Sequence, residues 1–207
     1  QATQWTPENI KKNPIGYLTW ALDECNKTHG KLDASLLGLN TKKNTYSRQL
    51  TQYQTDLTSK SKTFEELKAM AKEATASDSW PIDFNGKELD KATTIDLVVE
   101  GKTQVKSLEN KVTQYKKVLN QIKEKVRQGN KQLNELERMK TDLQAKLEIA
   151  KVEKTVEGIV DLDGNLNAIF DTVGALTDES ASVSFDDVST PSSDKQLQNE
   201  FEAILAE

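Results

Sequence analysis

Two heptad stripes dominate this sequence, separated by a short run of helix breakers. Alternating steps of three and four from Val105 pick out Leu108, Val112, Tyr115, Leu119, Ile122, Val126, Gly129, Leu133, Leu136, Lys140, Leu143, Leu147 and Ala150. Twelve of these 14 positions are apolar, and only Gly129 and Lys140 interrupt the stripe. An apolar residue every 3.5 positions, sustained between charged flanks, requires a helix supercoiled along its length with a partner. The earlier stripe runs Leu18, Leu22, Cys25, His29, Leu32, Leu36, Leu39, Lys43, Tyr46, Leu50, Tyr53, Leu57, Lys60, Phe64, Leu67, Ala71, Ala74, with 14 of 17 positions apolar in one phase.

Local chemistry sets the ends of these helices. Asn13-Pro14 is a helix start, because Asn accepts backbone N–H bonds at the N-cap and Pro suits the first turn. The stretch Ser77-Asp78-Ser79-Trp80-Pro81-Ile82-Asp83-Phe84-Asn85-Gly86 stops the first helix. Pro81 pushes Trp80 out of the α region, Asn85-Gly86 is a tight-turn pair, and Ile82 and Phe84 alternate with polar neighbours as a brief extended piece would. The second helix is expected from Lys87–Glu88 to about Glu157. The ~10-residue connection spans at most ~35 Å, too little to return the chain for a parallel partner about 100 Å long. The expected fold is therefore all-α: a long antiparallel coiled-coil hairpin over residues 14–157, its tip at 77–87, followed by short C-terminal helices.

The composition suits thin helices. Hydrophobic residues make up 35% and charged residues 29%, against roughly 45–50% apolar in an ordinary compact domain. The net charge of −5 is unevenly placed: residues 101–157 carry 14 basic and 8 acidic side chains, whereas residues 158–207 carry one Lys and 11 acids. Such halves attract each other, within one chain or between copies, or are simply solvated.

Flanking segments complete the plan. Residues 1–13 form a polar N-terminal segment, in which Trp5 with Lys11 and Lys12 is a candidate membrane contact: Trp favours the lipid interface and Lys the anionic headgroups. Beyond Gly158, Asp161-Leu162-Asp163-Gly164-Asn165 reads as a turn before a short apolar helix ending near residue 177. An acidic, Ser-rich linker follows over 178–192. Residues 193–207 then form a last helix, opened by the capping-box spacing of Ser193 and Gln196. Its Leu197, Phe201, Ile204 and Leu205 share one face. A helix of about 13 residues is marginal alone in water, so it is expected to dock on a neighbouring subunit.

Chemistry is sparse. His29, the single histidine, lies on the first stripe and reads as a polar residue that fixes register. Cys25 lies one turn away and reads as a small hydrophobe; two such ligands make a poor zinc site. As the single cysteine, Cys25 excludes an internal disulfide. Asp161, Asp163 and Asn165 imitate a calcium loop, but the glycine, Gly164, falls at position 4 instead of 6, and Thr172 stands at position 12, where the bidentate Glu belongs. No catalytic constellation, cofactor motif or metal-ligand set is expected, and no small-molecule substrate. The lysines of the second helix lie among Glu and Gln, without a specific nucleic-acid signal. No run approaches the ~18 apolar residues of a membrane span, and no signal-peptide pattern is read. The start at Gln1 reads as a processed or trimmed product.

Asn13-Pro14-Ile15-Gly16-Tyr17-Leu18-Thr19-Trp20-Ala21-Leu22-Asp23-Glu24-Cys25 resembles the opening of the first long helix in the phage shock protein A family. Gly86-Lys87-Glu88-Leu89-Asp90-Lys91-Ala92 is similar to the stretch after that family's hairpin tip, and Phe201-Glu202-Ala203-Ile204-Leu205 resembles its last helix. The chain departs from the family in two places. Only a dozen polar residues precede Asn13-Pro14, where members carry an amphipathic membrane-binding helix. Its tip, Trp80-Pro81-Ile82-Asp83-Phe84, replaces an Ala-rich helical turn. The resemblance implies a non-enzymatic, ESCRT-III-like hairpin that polymerises into rings or rods and remodels or protects an anionic membrane from its cytoplasmic face. Without that resemblance, the stripes equally suit a coiled-coil spacer, adaptor or structural component of a cell surface or phage, with no membrane role.

Overall fold

A computed structural model describes residues 5–153, 159–181 and 201–206. Helix α1 (Pro7–Lys12) leads into α2 (Pro14–Ser77); strands β1 (Ile82–Phe84) and β2 (Lys87–Leu89) follow, then α3 (Lys91–Glu153) and α4 (Ile159–Ala181). Residues 201–206 form a last helix, α5. The two long helices pack against each other, and the fold is an all-α hairpin with short C-terminal helices. At 64 and 63 residues, each is about 95 Å long.

The ends follow from individual residues. Asn13 accepts the Gly16 N–H at its Oδ1, 3.0 Å away, capping α2. A Cβ on Gly16 would lie 2.3 Å from Asn13 Nδ2, so a larger residue there would make the Asn13 side chain shift. At the other end, Asp78 adopts φ 51° and Ser79 N–H reaches back to the Ala74 carbonyl at 3.0 Å. That is the left-handed C′ residue and six-to-one bond of a Schellman stop, here with Asp in place of the usual Gly.

The tip is a β-hairpin. Ile82 pairs with Leu89, Asp83 with Glu88 and Phe84 with Lys87, antiparallel. Asn85 and Gly86 both take positive φ, 53° and 76°, the two-residue turn whose twist matches paired strands. Asp83 Oδ1 accepts the Gly86 N–H at 2.9 Å. The second long helix consequently starts at Lys91, not at Lys87–Glu88 as expected, because Lys87 and Glu88 are spent in the ladder. Asp90 then caps it, accepting the Thr93 N–H at 2.7 Å, while Thr94 donates its hydroxyl to the Asp90 carbonyl at 2.8 Å.

The chain divides into two packed units, residues 1–44 with 120–184 and residues 45–119 with 185–207. In the first, Leu18, Cys25 and Leu32, seven residues apart on α2, pack with Leu136, Leu143 and Ala150, seven apart on α3. Ile10 of α1 and Leu162, Leu166 and Val173 of α4 complete that core. At Gly129 the Leu36 side chain of α2 occupies the space a side chain would take: a Cβ there would lie 2.6 Å from Leu36 Cδ2. The gap in the stripe thus admits a neighbouring leucine.

Three expectations are corrected in this unit. Asp161–Asn165, expected as a turn, is helical, and α4 continues to Ala181 instead of ending near 177. Leu162, Leu166, Ile169 and Val173 form one inward stripe; burying such side chains contributes about 1.5–3 kcal/mol each, more than the roughly 1 kcal/mol that Gly164 costs. Residues 7–12, read as part of a polar segment, form α1: Thr6 caps it by accepting the Asn9 N–H at 3.3 Å, and Ile10 is fully buried. The expected helix stop at Gly158, and the linker from 182 onward, lie outside the described residues.

In the second unit, Phe64, Leu67, Ala71 and Ala74 of α2 meet Val98 and Val99 of α3, with Ile82 of the tip. Gly101 lets Phe64 lie across α3, since a Cβ would approach its ring to 3.1 Å. Farther along, Tyr115 meets Tyr46 edge-on, with centroids 5.7 Å apart, and Tyr53 at 5.2 Å. Lys111 Nζ sits 5.5 Å above the Tyr53 ring, a cation–π contact.

Candidate docking site

The last helix has a seat on its own chain. Phe201 and Ile204 are 3% and 2% exposed, packed into the core of Phe64, Leu67, Ala71, Val98 and Val99, and Leu205 packs against the same cluster. Three of the four residues expected to dock are therefore brought to one surface; Leu197 lies outside the described residues. The expected seat on a neighbouring subunit is here a seat on the same chain. The short helix can hold it because two large side chains leave water, which offsets its marginal intrinsic stability.

The tip supplies part of this surface. Ile82 is buried, Trp80 and Phe84 are half-buried, and Pro81 and Gly86 are exposed. The Trp80 indole Nε1 is buried with no hydrogen-bond partner among the described residues. A shallow groove of about 270 Å³ lies alongside, with Phe64, Leu67, Phe84 and Leu97 on its apolar side and Lys60 and Glu100 at its rim.

At the start of the chain, Trp5 is half-buried. Its ring lies 5.5 Å from Tyr17, edge-on, and 6.1 Å from Trp20, while Lys11 and Lys12 are exposed. The three members of the candidate membrane contact are thus of two kinds: one aromatic engaged in the fold and two solvated lysines. Tyr17 is fully buried and donates its hydroxyl to Asp163 Oδ1 at 3.0 Å. Burial first, and the Asp163 carboxylate second, push this phenol well above its ordinary range.

The groups with chemical potential are occupied. Cys25 is 1% exposed, and burial pushes its thiol up to about 11, against the opposing pull of Lys140. A protonated, buried thiol is a poor nucleophile and ligand. His29 Nδ1 lies 3.0 Å from Asp33 Oδ2, and its Nε2 lies 3.7 Å from Glu137 Oε1 on α3. Asp33 lies on the same helix as His29, and Glu137 faces it from α3. Among the described residues, no cluster of three or more His, Cys, Asp or Glu side chains could hold a metal, and no helix is long and apolar enough to cross a membrane.

Sequence reasoning missed the contribution of Thr94 and Val98 to the second stripe, which it started at Val105. Thr94 and Val98 continue the same three-four spacing through Gly101, and both are fully buried. That spacing was the available signal. The Tyr17–Asp163 bond had none, because it joins residues 146 positions apart.

No protein-family model, curated protein or solved structure matches this chain.

Proposed function

We propose that this chain is a non-enzymatic scaffold that assembles with copies of itself, associated with a membrane that it remodels or protects by polymerising, as the resemblance to the phage shock protein A family implies. The observation that carries the assembly is the seating of Phe201 and Ile204 on Phe64, Leu67 and Val98. Every copy presents the same seat and the same helix, so an exchange between neighbours conserves the contacts, and domain swapping of this kind is a low-cost route to assembly.

Sedimentation velocity and electron microscopy of the full chain, beside one lacking residues 193–207, test this. The full chain is expected to form large assemblies and the truncated chain small species. A second variant, Phe201→Asp, keeps the chain length and is expected to behave like the truncation. Unchanged assembly in both variants would end the clasp reading.

The membrane role is tested separately, by co-sedimentation with anionic vesicles. Lys11→Glu with Lys12→Glu is expected to weaken binding if the N-terminal segment makes the contact. A second reading, a coiled-coil spacer or adaptor without a membrane role, is favoured by one observation: the Trp5 ring is engaged with Tyr17 and Trp20. Absence of vesicle binding selects it.

A further inference from the structure

Helix α4 has two unlike faces. Leu162, Leu166 and Val173 are buried in the first core. At 100° per residue, Asp171 and Asp178 fall roughly opposite that stripe, and both are exposed. The helix carries five acidic residues and no basic one. Gly174 and Ala175, both exposed, keep this outer face flat, and a Cβ on Gly174 would meet nothing within 4 Å.

Helix α3 offers the opposite charge. Lys106, Lys116 and Lys117 are exposed and fall within an arc of about 100° on that helix. None of the three has an ion-pair partner among the described residues, and neither do Asp171 and Asp178. Glu109 is the acid that shares the lysine arc. Lys106 and Lys117 stand about 16 Å apart along the axis, and Asp171 and Asp178 about 10 Å; flexible lysine stems bridge the difference.

We infer that the acidic outer face of α4 in one copy docks on the lysine arc of α3 in a second copy. The inference rests on the self-assembly proposed above and adds a second contact, electrostatic where the α5 seat is apolar. Two surfaces of opposite sign on one chain attract between copies. They also make a head-to-tail contact that need not close, so it propagates. Because both surfaces are exposed, the contact is screened by salt.

The test is sedimentation velocity of the full chain at about 50 mM and about 500 mM NaCl, with circular dichroism to verify helicity. Three variants accompany it: Lys106→Glu/Lys116→Glu/Lys117→Glu, Asp171→Lys/Asp178→Lys, and the two sets combined. Assembly of the natural sequence is expected to weaken at least about tenfold at the higher salt. Each reversal alone is expected to reduce assembly similarly, and the combined variant to regain it. If either reversal leaves assembly unchanged, or the combination fails to restore it, the contact is refuted. Loss of assembly on removing residues 193–207 with none in the reversals refutes this contact and leaves the scaffold standing. A chain that is monomeric at both salt concentrations refutes both. If the lysine reversal weakens binding to anionic vesicles while assembly persists, the arc serves a membrane and the inference fails.

Discussion

The hydroxyl of Tyr17 donates to the carboxylate of Asp163 across 3.0 Å, joining the first turns of α2 to α4. The bond lies beside the buried Tyr17 ring, so both partners are held by the first core. Tyr17→Phe keeps the ring and removes the bond; it is expected to cost about 1–2 kcal/mol in urea denaturation at neutral pH. The phenol is raised in the folded chain, so its contribution is full below the ordinary tyrosine value near 10 and is lost as pH rises through the folded value. The natural sequence should therefore lose stability above about pH 10 more steeply than Tyr17→Phe. Parallel alkaline limbs would show that the Tyr17 phenol is not raised in the folded chain.

Asp90 shows the opposite sign. Its carboxylate is held below its ordinary range, first by the Thr93 backbone N–H and then by the Thr93 hydroxyl. Its contribution is present above the ordinary carboxylate value and is lost as pH falls through the folded one. Asp90→Ala is expected to lower Tm at pH 7 and to flatten its dependence on pH in the acid range. Equal Tm values for the two proteins at pH 7 would show that α3 does not depend on this cap.

Gly129 and Gly30 make a matched pair. Gly129→Leu restores the apolar stripe of α3, yet the space belongs to Leu36, so the change is expected to destabilise by about 1–3 kcal/mol. Around Gly30 a Cβ would meet nothing within 4 Å, and Gly30→Ala is expected to stabilise by up to about 1 kcal/mol. Thermal denaturation of the two variants reads both signs. A stabilising Gly129→Leu would mean that Leu36 does not fill the space beside Gly129.

Cys25 is expected to resist a thiol reagent at pH 8 in the folded chain and to react at once in denaturant, because its thiol is both buried and raised to about 11. Stoichiometric labelling of the folded protein within seconds would contradict its place in the core.

The helical hairpin was legible because its signal is periodic. A stripe such as Leu18, Cys25, Leu32 repeats one requirement many times, and single violations at His29 or Lys43 do not erase it. The stop at Ser77 and the start after Asn13 were legible because breakers and caps act locally. The misreadings occurred where local and tertiary preferences disagree. Asp161–Asn165 has turn-forming residues, yet the burial of Leu162 and Leu166 keeps it helical. Lys87 and Glu88 look helical but pair with Phe84 and Asp83; the Asn85-Gly86 pair between the two strands was the available signal. The docking face of Phe201, Ile204 and Leu205 was legible as an amphipathic pattern. Its seat was not, because amphipathicity names a sticky face without naming what covers it.

Between Leu39 and Phe64, no residue of α2 is fully buried; its inward positions there include Tyr46, Leu50, Tyr53 and Leu57. The buried residues group into two clusters along the long helices, and local unfolding can follow such groupings. Every described residue of the seat for α5 belongs to the second core. The surface on which the last helix sits therefore draws on the second core and not on the first. If copies exchange α5 as proposed, an assembly built on that seat would tolerate members damaged in the half that contains Trp5, Cys25 and α4.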